Sequence, residues 1–251
     1  MRMPTSSHAT TIAGCGAHEL SPGAVPAGKG RPSGRPANVY AIVTGATRSQ
    51  VFTTRSGERF RIIRNGRVAA VVTQRARPLT PSAATLRRYD RTMRELAARF
   101  PAILPARFGT TVPEDELLFI LSSRRASLAR GLATVRGRVQ MTVRVMTTAA
   151  EVPPATDPFG SPSSGRDYLT GKARAAAAAR VVPVFEPIRG AVARWIRDER
   201  VDRRGGVASI YHLIPRSSVE NYRRTLNTAA DAAGVRLVVS GPWPPYAFSA
   251  D

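Results

Sequence analysis

Two β-rich runs joined by Asn-Gly constrain the fold of this sequence more than any other feature. The stretch RFRIIRNGRVAAVVTQ, residues 59–74, places Asn65 and Gly66 between runs rich in apolar and β-branched residues. Asn-Gly between such runs is the strongest short signal for a hairpin, because both central residues of the turn need positive φ. The chain is therefore predicted to contain an antiparallel pair of strands.

Further elements are predicted on both sides of this hairpin. VYAIVT (39–44) is typical of a buried strand. Thr80 as N-cap and Pro81 as the first helical residue open a helix that stops at Pro101. Its predicted apolar stripe consists of Leu86, Tyr89, Met93, Leu96 and Phe100. A second helix is predicted to begin at Pro113, with acidic residues in its first turn.

An alternating strand follows the second helix. In GRVQMTVRVMTT (137–148) the apolar residues recur at every second position, which predicts a half-buried antiparallel strand. The predicted solvent face carries Arg138, Gln140, Thr142 and Arg144. Strand, hairpin, two helices and strand together predict an α+β sandwich that is close to ferredoxin-like in element order.

The second half of the chain predicts a smaller, helix-rich α+β domain. A helix is expected over 166–180, a strand over 207–215 and another strand over 235–239, with a capping box at Ser217–Glu220 before the last helix. The predicted divisions are a disordered basic arm over 1–37, a ferredoxin-like N-terminal domain over 38–147, a Pro/Ser linker over 148–164 and a C-terminal domain over 165–251.

The net charge of +21 over 251 residues suggests an anionic partner. Almost all the cations are arginine, and they are spread along the chain instead of being gathered in one block. We interpret them as a solvated basic surface in preference to a nucleic-acid groove. The alternative is a basic protein that associates with nucleic acid without sequence specificity.

No arrangement of residues points to enzymatic chemistry. His8, Cys15 and His18 lie in the predicted arm, and His212 on a strand is interpreted as a packed or edge-exposed structural residue. The stretch AIVTGATRS lacks the further glycines of a dinucleotide-binding loop. The sequence predicts a protein that is not an enzyme, without metal, cofactor or small-molecule substrate.

The chain is expected to be cytoplasmic and to have no membrane partner. It holds no apolar run of about 18 residues, and its first residues, MRMPTSSHATTIAG, lack the apolar middle region of a signal peptide. The single cysteine also fits a reducing compartment.

Four stretches resemble the gas vesicle synthesis protein family GvpL/GvpF. VYAIV (39–43) resembles its opening strand, and FPAILPARFGTTVPEDELL (100–118) its Leu-Pro-x-Arg-Phe-Gly-Thr segment. GRDYLTGKAR (165–174) is similar to the start of its second-domain helix, and VRLVVSGPWPPYAF (235–248) to its C-terminal motif. They occur in family order across almost the whole chain after the arm, and Tyr89 stands where the family often has His.

The resemblance implies a two-domain α+β protein with a ferredoxin-like first domain and no enzymatic activity. It also implies an accessory or minor structural protein of gas vesicles that assists assembly by binding the shell protein and other accessory proteins. Candidate contacts lie in its two most specific stretches, since arginine and aromatic residues dominate interface hot spots. These interface or domain-junction residues are Arg107, Phe108, Gly109, Trp243, Pro244, Pro245, Tyr246 and Phe248.

The proline-rich C-terminal motif leaves two interpretations open. Its prolines lack amide donors, so it is not expected to form a central strand. Its rings either pack against the body of the protein, across the domain junction, or form an exposed docking surface. Full burial predicts that Trp243→Ala lowers the free energy of unfolding by about 3–5 kcal/mol, and exposure predicts a loss under ~1 kcal/mol.

Overall fold

The computed structural model describes residues 34–46, 51–74, 79–146, 181–204 and 206–249. All of them belong to one compact unit that begins at Pro32. Most of the predicted arm, with His8, Cys15 and His18, lies outside the described residues, as do the predicted linker over 148–164 and the predicted helix over 166–180. The predicted end of the arm at residue 37 falls inside the first strand, which begins at Pro36.

A six-stranded antiparallel sheet forms the first half of the described chain. Its strands are β1 (Pro36–Thr44), β2 (Val51–Thr53), β3 (Arg59–Asn65), β4 (Val68–Gln74), β5 (Ala102–Pro105) and β6 (Thr111–Pro113). The order is β2-β3-β4-β1-β5, and β6 also pairs with β1. β3 and β4 form the predicted hairpin, but its turn lies one residue later than predicted. Asn65 ends β3 and pairs with Val68, so Gly66 and Arg67 form the turn, and of the two only Gly66 has positive φ, at +62°.

Three helices pack on this sheet, α1 (Ala83–Arg99) on one face and α2 (Glu114–Ser123) and α3 (Arg125–Val135) on the other. The N-cap of α1 is Ser82, whose Oγ accepts a hydrogen bond from the Thr85 amide at 3.1 Å, so the prediction of Thr80 was wrong by two residues. Ser82 supplies the same acceptor chemistry. Of the predicted apolar stripe, only Leu86 is exposed.

A second antiparallel sheet has the order β10-β7-β9-β8. Its strands are β7 (Arg138–Met146), β8 (Asp198–Arg204), β9 (Val207–Pro215) and β10 (Leu237–Trp243). α4 (Glu186–Val192) and α5 (Val219–Ala232) pack on one face. The predicted capping box before α5 is wrong, because Arg216–Ser218 form a 3-10 turn and Ser218 makes no side-chain cap bond.

β7 belongs to the second sheet, although its position in the chain suggested the first. It pairs with β9 over its whole length and with β10 on its other side. The predicted solvent face is also wrong, since Gln140 and Thr142 are buried. The predicted domain boundary after residue 147 therefore follows a strand of the second sheet, and the division into two domains remains a proposal.

Three apolar clusters alternate with the two sheets. The first lies between α1 and the first sheet, and the third lies between the second sheet and α4 with α5. The middle cluster contains β1, β4, α2 and α3 residues together with Leu213 of β9 and Phe248. The predicted α+β class is confirmed, and the two sheets share the middle cluster as a common core.

The search for a membrane-spanning helix among the described residues found none with the necessary length and apolar character.

Candidate functional site

The C-terminal segment, defined here as Trp243–Ser249, is attached to β7 at two points. Trp243 ends the edge strand β10 and pairs with Gln140, after a bulge and a cis peptide bond between Gly241 and Pro242. The buried Gln140 side chain then accepts a hydrogen bond from the Ala247 amide through Oε1, at 2.8 Å. The expectation that this motif avoids a central strand is confirmed, because β10 lies at the edge of its sheet.

The segment turns inward after Trp243. Pro244 and Pro245 are buried, and Tyr246–Phe248 form a single 3-10 turn. The Ser249 hydroxyl donates to the Pro245 and Tyr246 carbonyl oxygens at 3.1 and 2.9 Å, which closes the turn. The rings of this motif therefore pack against the body of the protein to different depths.

Phe248 lies deepest and belongs to the middle cluster. It is 7% exposed and shares this cluster with Leu104 of β5, Leu132 of α3 and Leu213 of β9. The Arg200 guanidinium lies 5.6 Å from the centre of its ring. Phe248 therefore contributes to the core that the two sheets share.

Tyr246 and Phe108 pack against the cluster that contains Tyr89 of α1. Phe108 meets Tyr89 edge to face, with ring centres 5.1 Å apart, and Tyr246 packs against the same cluster. The Tyr89 hydroxyl donates to the Ala106 carbonyl oxygen at 2.9 Å, just before the Arg-Phe-Gly stretch. The two most specific stretches of the sequence thus pack against one cluster beside α1.

Burial disfavours ionisation of two tyrosine hydroxyls in this cluster, those of Tyr89 and Tyr246. It raises the pKa of Tyr89 to about 12. Burial also raises the pKa of Tyr246. The neighbouring Tyr89 and Asp90 raise this pKa further, and Arg94 lowers it. Both groups are uncharged at neutral pH, as tyrosines ordinarily are, and both pack against the cluster, where the Tyr89 hydroxyl also donates a hydrogen bond.

Arg107 and Gly109 form a tight loop beside this cluster. The Thr110 amide and hydroxyl both donate to the Arg107 carbonyl oxygen, at 3.1 and 2.8 Å. Gly109 has φ +78°, a conformation that favours glycine. The Val39 amide of β1 donates to Thr110 O at 2.9 Å, which ties the loop to the sheet and leaves Arg107 exposed.

Trp243 is half-buried and carries a cation on its ring. The Arg94 guanidinium of α1 lies 4.3 Å from the ring centre, within the range of a cation–π contact. Trp243 Nε1 donates to Ser240 Oγ at 3.4 Å. Sequence reasoning missed Arg94, because its spacing on α1 indicates only a solvated helix face.

Six of the eight predicted site residues occupy three places, and the other two, Arg107 and Gly109, form the loop described above. Phe108 and Tyr246 pack beside Tyr89, Phe248 lies in the shared core, and Trp243 with the two prolines lines a small cavity at the end of α1. Gln140 was also missed, since a polar residue in an alternating strand suggests solvent exposure.

His212 is interpreted from the sequence as a packed or an edge-exposed structural residue, and the structure shows the packed one. Its Nδ1 lies 2.6 Å from the Tyr222 hydroxyl, and its Nε2 lies 2.8 Å from Glu199 Oε2. Burial alone would raise the pKa of Glu199, but His212 and Arg189 outweigh it and lower that pKa. The described residues contain no group of three or more His, Cys, Asp or Glu placed to hold a metal ion.

Two solved structures share this fold. The gas vesicle protein GvpF from Anabaena sp. PCC7120 superposes with a TM-score of 0.63 at 12% identity, covering 86% of this chain and 99% of that one. GvpF from Microcystis aeruginosa gives the same TM-score and coverage at 13% identity. No curated protein sequence matches significantly.

The family described as gas vesicle synthesis protein GvpL/GvpF matches residues 38–250, which is most of the sequence. The chain belongs to the GvpL/GvpF family of gas vesicle synthesis proteins.

Proposed function

We propose that this protein is a non-enzymatic accessory or minor structural protein that assists gas vesicle assembly. It acts in the cytoplasm and at the vesicle by binding the shell protein and other accessory proteins. The observation that carries this proposal is the family match over residues 38–250, which includes both sheets and the C-terminal segment.

The candidate residues divide into two groups by burial. Arg107 is exposed and Trp243 is half-exposed beside Arg94, so these side chains are accessible to a partner. Arginine and tryptophan are the residue types most enriched at interface hot spots. We assign these side chains to partner binding, and Phe248 and the two buried prolines to the junction between the sheets.

Co-purification with the shell protein tests the proposal. Tagged protein is expressed with the shell protein, and the captured shell protein is compared between the parent chain and Arg107→Ala. We expect the parent to capture it and the variant to capture several-fold less. Arg91→Ala is the matched control, because it removes another exposed arginine from outside the candidate residues.

Two results would contradict the proposed function or the role of Arg107 in it. If the parent captures no shell protein, and deletion of the gene leaves vesicle number and shape unchanged, the assembly role fails. If Arg91→Ala reduces capture as much as Arg107→Ala, the contact is general electrostatic attraction, and the assignment of Arg107 fails.

A second candidate function is sequence-independent association with nucleic acid. The exposed arginines of α1 favour it, namely Arg87, Arg88, Arg91, Arg94 and Arg99. Titration with duplex DNA at increasing salt discriminates the two, because phosphate contacts make affinity fall steeply with salt. Negligible affinity for the chain that lacks residues 1–31, which precede the compact unit, excludes this role for the folded part.

A further inference from the structure

A small cavity between the two sheets is lined mainly by apolar residues and prolines, and three arginine side chains also reach it. Its volume is about 80 Å³, and it lies where the C-terminal ends of α1 and α3 meet the start of β7 and the C-terminal segment. Arg94, Arg138 and Arg216 reach it from three different elements, and Trp243 and Pro244 form another wall. This volume holds a few water molecules or one small ion.

Two of these guanidinium groups are held in place by helix ends. Arg216 donates to the carbonyl oxygen of Ala97 in the last turn of α1, at 2.8 Å. Arg138 donates to the carbonyl oxygen of Thr134 in the last turn of α3. A guanidinium carries five N–H donors, so one bond to a carbonyl leaves each group with donors for a ligand.

The third guanidinium is held by a ring. Arg94 lies 4.3 Å from the centre of the Trp243 ring, and its Nε donates to Asp90 one turn earlier at 3.0 Å. A ligand that contacts Arg94 in the cavity would therefore lie beside the tryptophan.

The charges around the cavity favour an anion. Three arginines line it, and no carboxylate is among the described residues that do so. The C-terminal ends of two helices contribute about half a negative charge each. The Asp90 carboxylate, which is paired with Arg94, adds one more negative charge, so the three arginines leave the cavity with a net charge of about +1.

We propose that this cavity binds a small oxyanion, which is a phosphate or a carboxylate group. The planar, multidentate donor set of arginine matches the paired oxygens of both groups. The site goes beyond the proposed assembly role, because it is defined by the cavity and its charges and does not depend on which protein the chain binds.

Tryptophan fluorescence provides a direct test. The chain has two tryptophans, so Trp195→Phe leaves Trp243 as the only reporter. This full-length variant is titrated with sodium phosphate in one arm and sodium acetate in the other, at ionic strength held constant with sodium chloride. We expect a saturable change in Trp243 emission and a rise in melting temperature, and the arm with the tighter response identifies the anion class.

Charge-neutralising variants locate the site. Arg216→Gln and Arg138→Gln, each in the Trp195→Phe background, are expected to weaken anion binding roughly tenfold or more, as loss of a charged hydrogen bond implies. Arg91→Gln removes one positive charge from the exposed face of α1 without touching the cavity, and it should bind like the parent.

Three results would overturn the proposal. The first is the absence of a saturable response by both fluorescence and melting temperature in both arms. The second is unchanged binding in whichever of the two arginine variants melts cooperatively. The third is an equal loss in Arg91→Gln, which would indicate nonspecific attraction to a cationic protein.

Discussion

At the scale of single residues, the aromatic side chains of the C-terminal segment differ in what surrounds them. Phe248 is 7% exposed in the shared core, whereas Trp243 is half-buried beneath Arg94. The free energy that a ring contributes follows the apolar area it removes from water. Both interpretations of the C-terminal motif therefore apply, but to different rings. Phe248 packs fully into the core, and Trp243 remains partly accessible to solvent and to partners.

Alanine substitutions should rank these two residues. Phe248→Ala is expected to lower the free energy of unfolding by about 3–5 kcal/mol, because it leaves a cavity among large side chains. Trp243→Ala should cost about 2 kcal/mol, between the values for buried and exposed rings. Urea denaturation of both variants measures the ranking, with Phe119→Ala, an exposed ring on α2, as the control near zero. An equal or reversed order would contradict the burial described here.

The sequence identified these residues but not their surroundings. The prolines and rings of the motif left packing and exposure open, and the structure packs its rings to different depths. Arg94, Arg216 and Gln140 carried no comparable signal, because an arginine on a helix and a glutamine in an alternating strand are usually solvated. Their positions depend on contacts with elements more than forty residues away in the chain, such as the bond from Arg216 to Ala97.

At the scale of elements, β7 shows what alternation predicts and what it does not. Alternating residues indicate that one face of the strand is buried, and Val139 and Met141 confirm it. Alternation does not indicate which sheet the strand joins or what covers its other face. The middle cluster covers that face of β7, so Gln140 and Thr142 are buried and bond each other at 3.3 Å.

β8 and β9 are joined across the sheet by a pH-sensitive pair, Glu199 and His212. The pKa of Glu199 is lowered in the folded state, so its stabilising contribution is present above its ordinary pKa of 4.5 and is lost as pH falls through the lower, folded value. Glu199→Gln should therefore lose less stability than the parent chain as pH falls from about 5 to 3. Guanidinium denaturation across this range measures the difference.

The control for this titration is Glu220→Gln, which removes an exposed carboxylate of α5 outside the pair, and the acid sensitivity of both variants is compared with that of the parent. If Glu199→Gln keeps the full acid sensitivity of the parent, the pair with His212 does not stabilise the fold through its charge.

At the scale of the whole molecule, the middle cluster couples the two sheets. Leu213 of β9 is fully buried among residues of β1, β5, α2 and α3. Small units with one continuous core unfold cooperatively. The sequence predicted the α+β class, but it gave no sign of the shared middle cluster, because that cluster joins residues far apart in the chain.

Leu213→Ala tests this coupling. We expect a loss of about 2–5 kcal/mol, felt equally by amides of both sheets. Native-state hydrogen exchange at β1 and β9 measures the effect, since amides that open only in global unfolding lose protection together. Ala208→Gly on the opposite face of β9 is the matched control, because it should reduce protection mainly in the second sheet. Loss confined to β9 in Leu213→Ala would show that the sheets unfold separately.

The two outer strands of the second sheet, β8 and β10, are both poor templates for pairing with another chain. An open strand edge pairs readily with another chain unless charge, proline or a bulge prevents it. β8 is dense in charged residues along Asp198–Arg204, and β10 combines a bulge with Pro242, which has no amide hydrogen to donate. Both edges of the second sheet are thus protected against pairing with the edge of another chain.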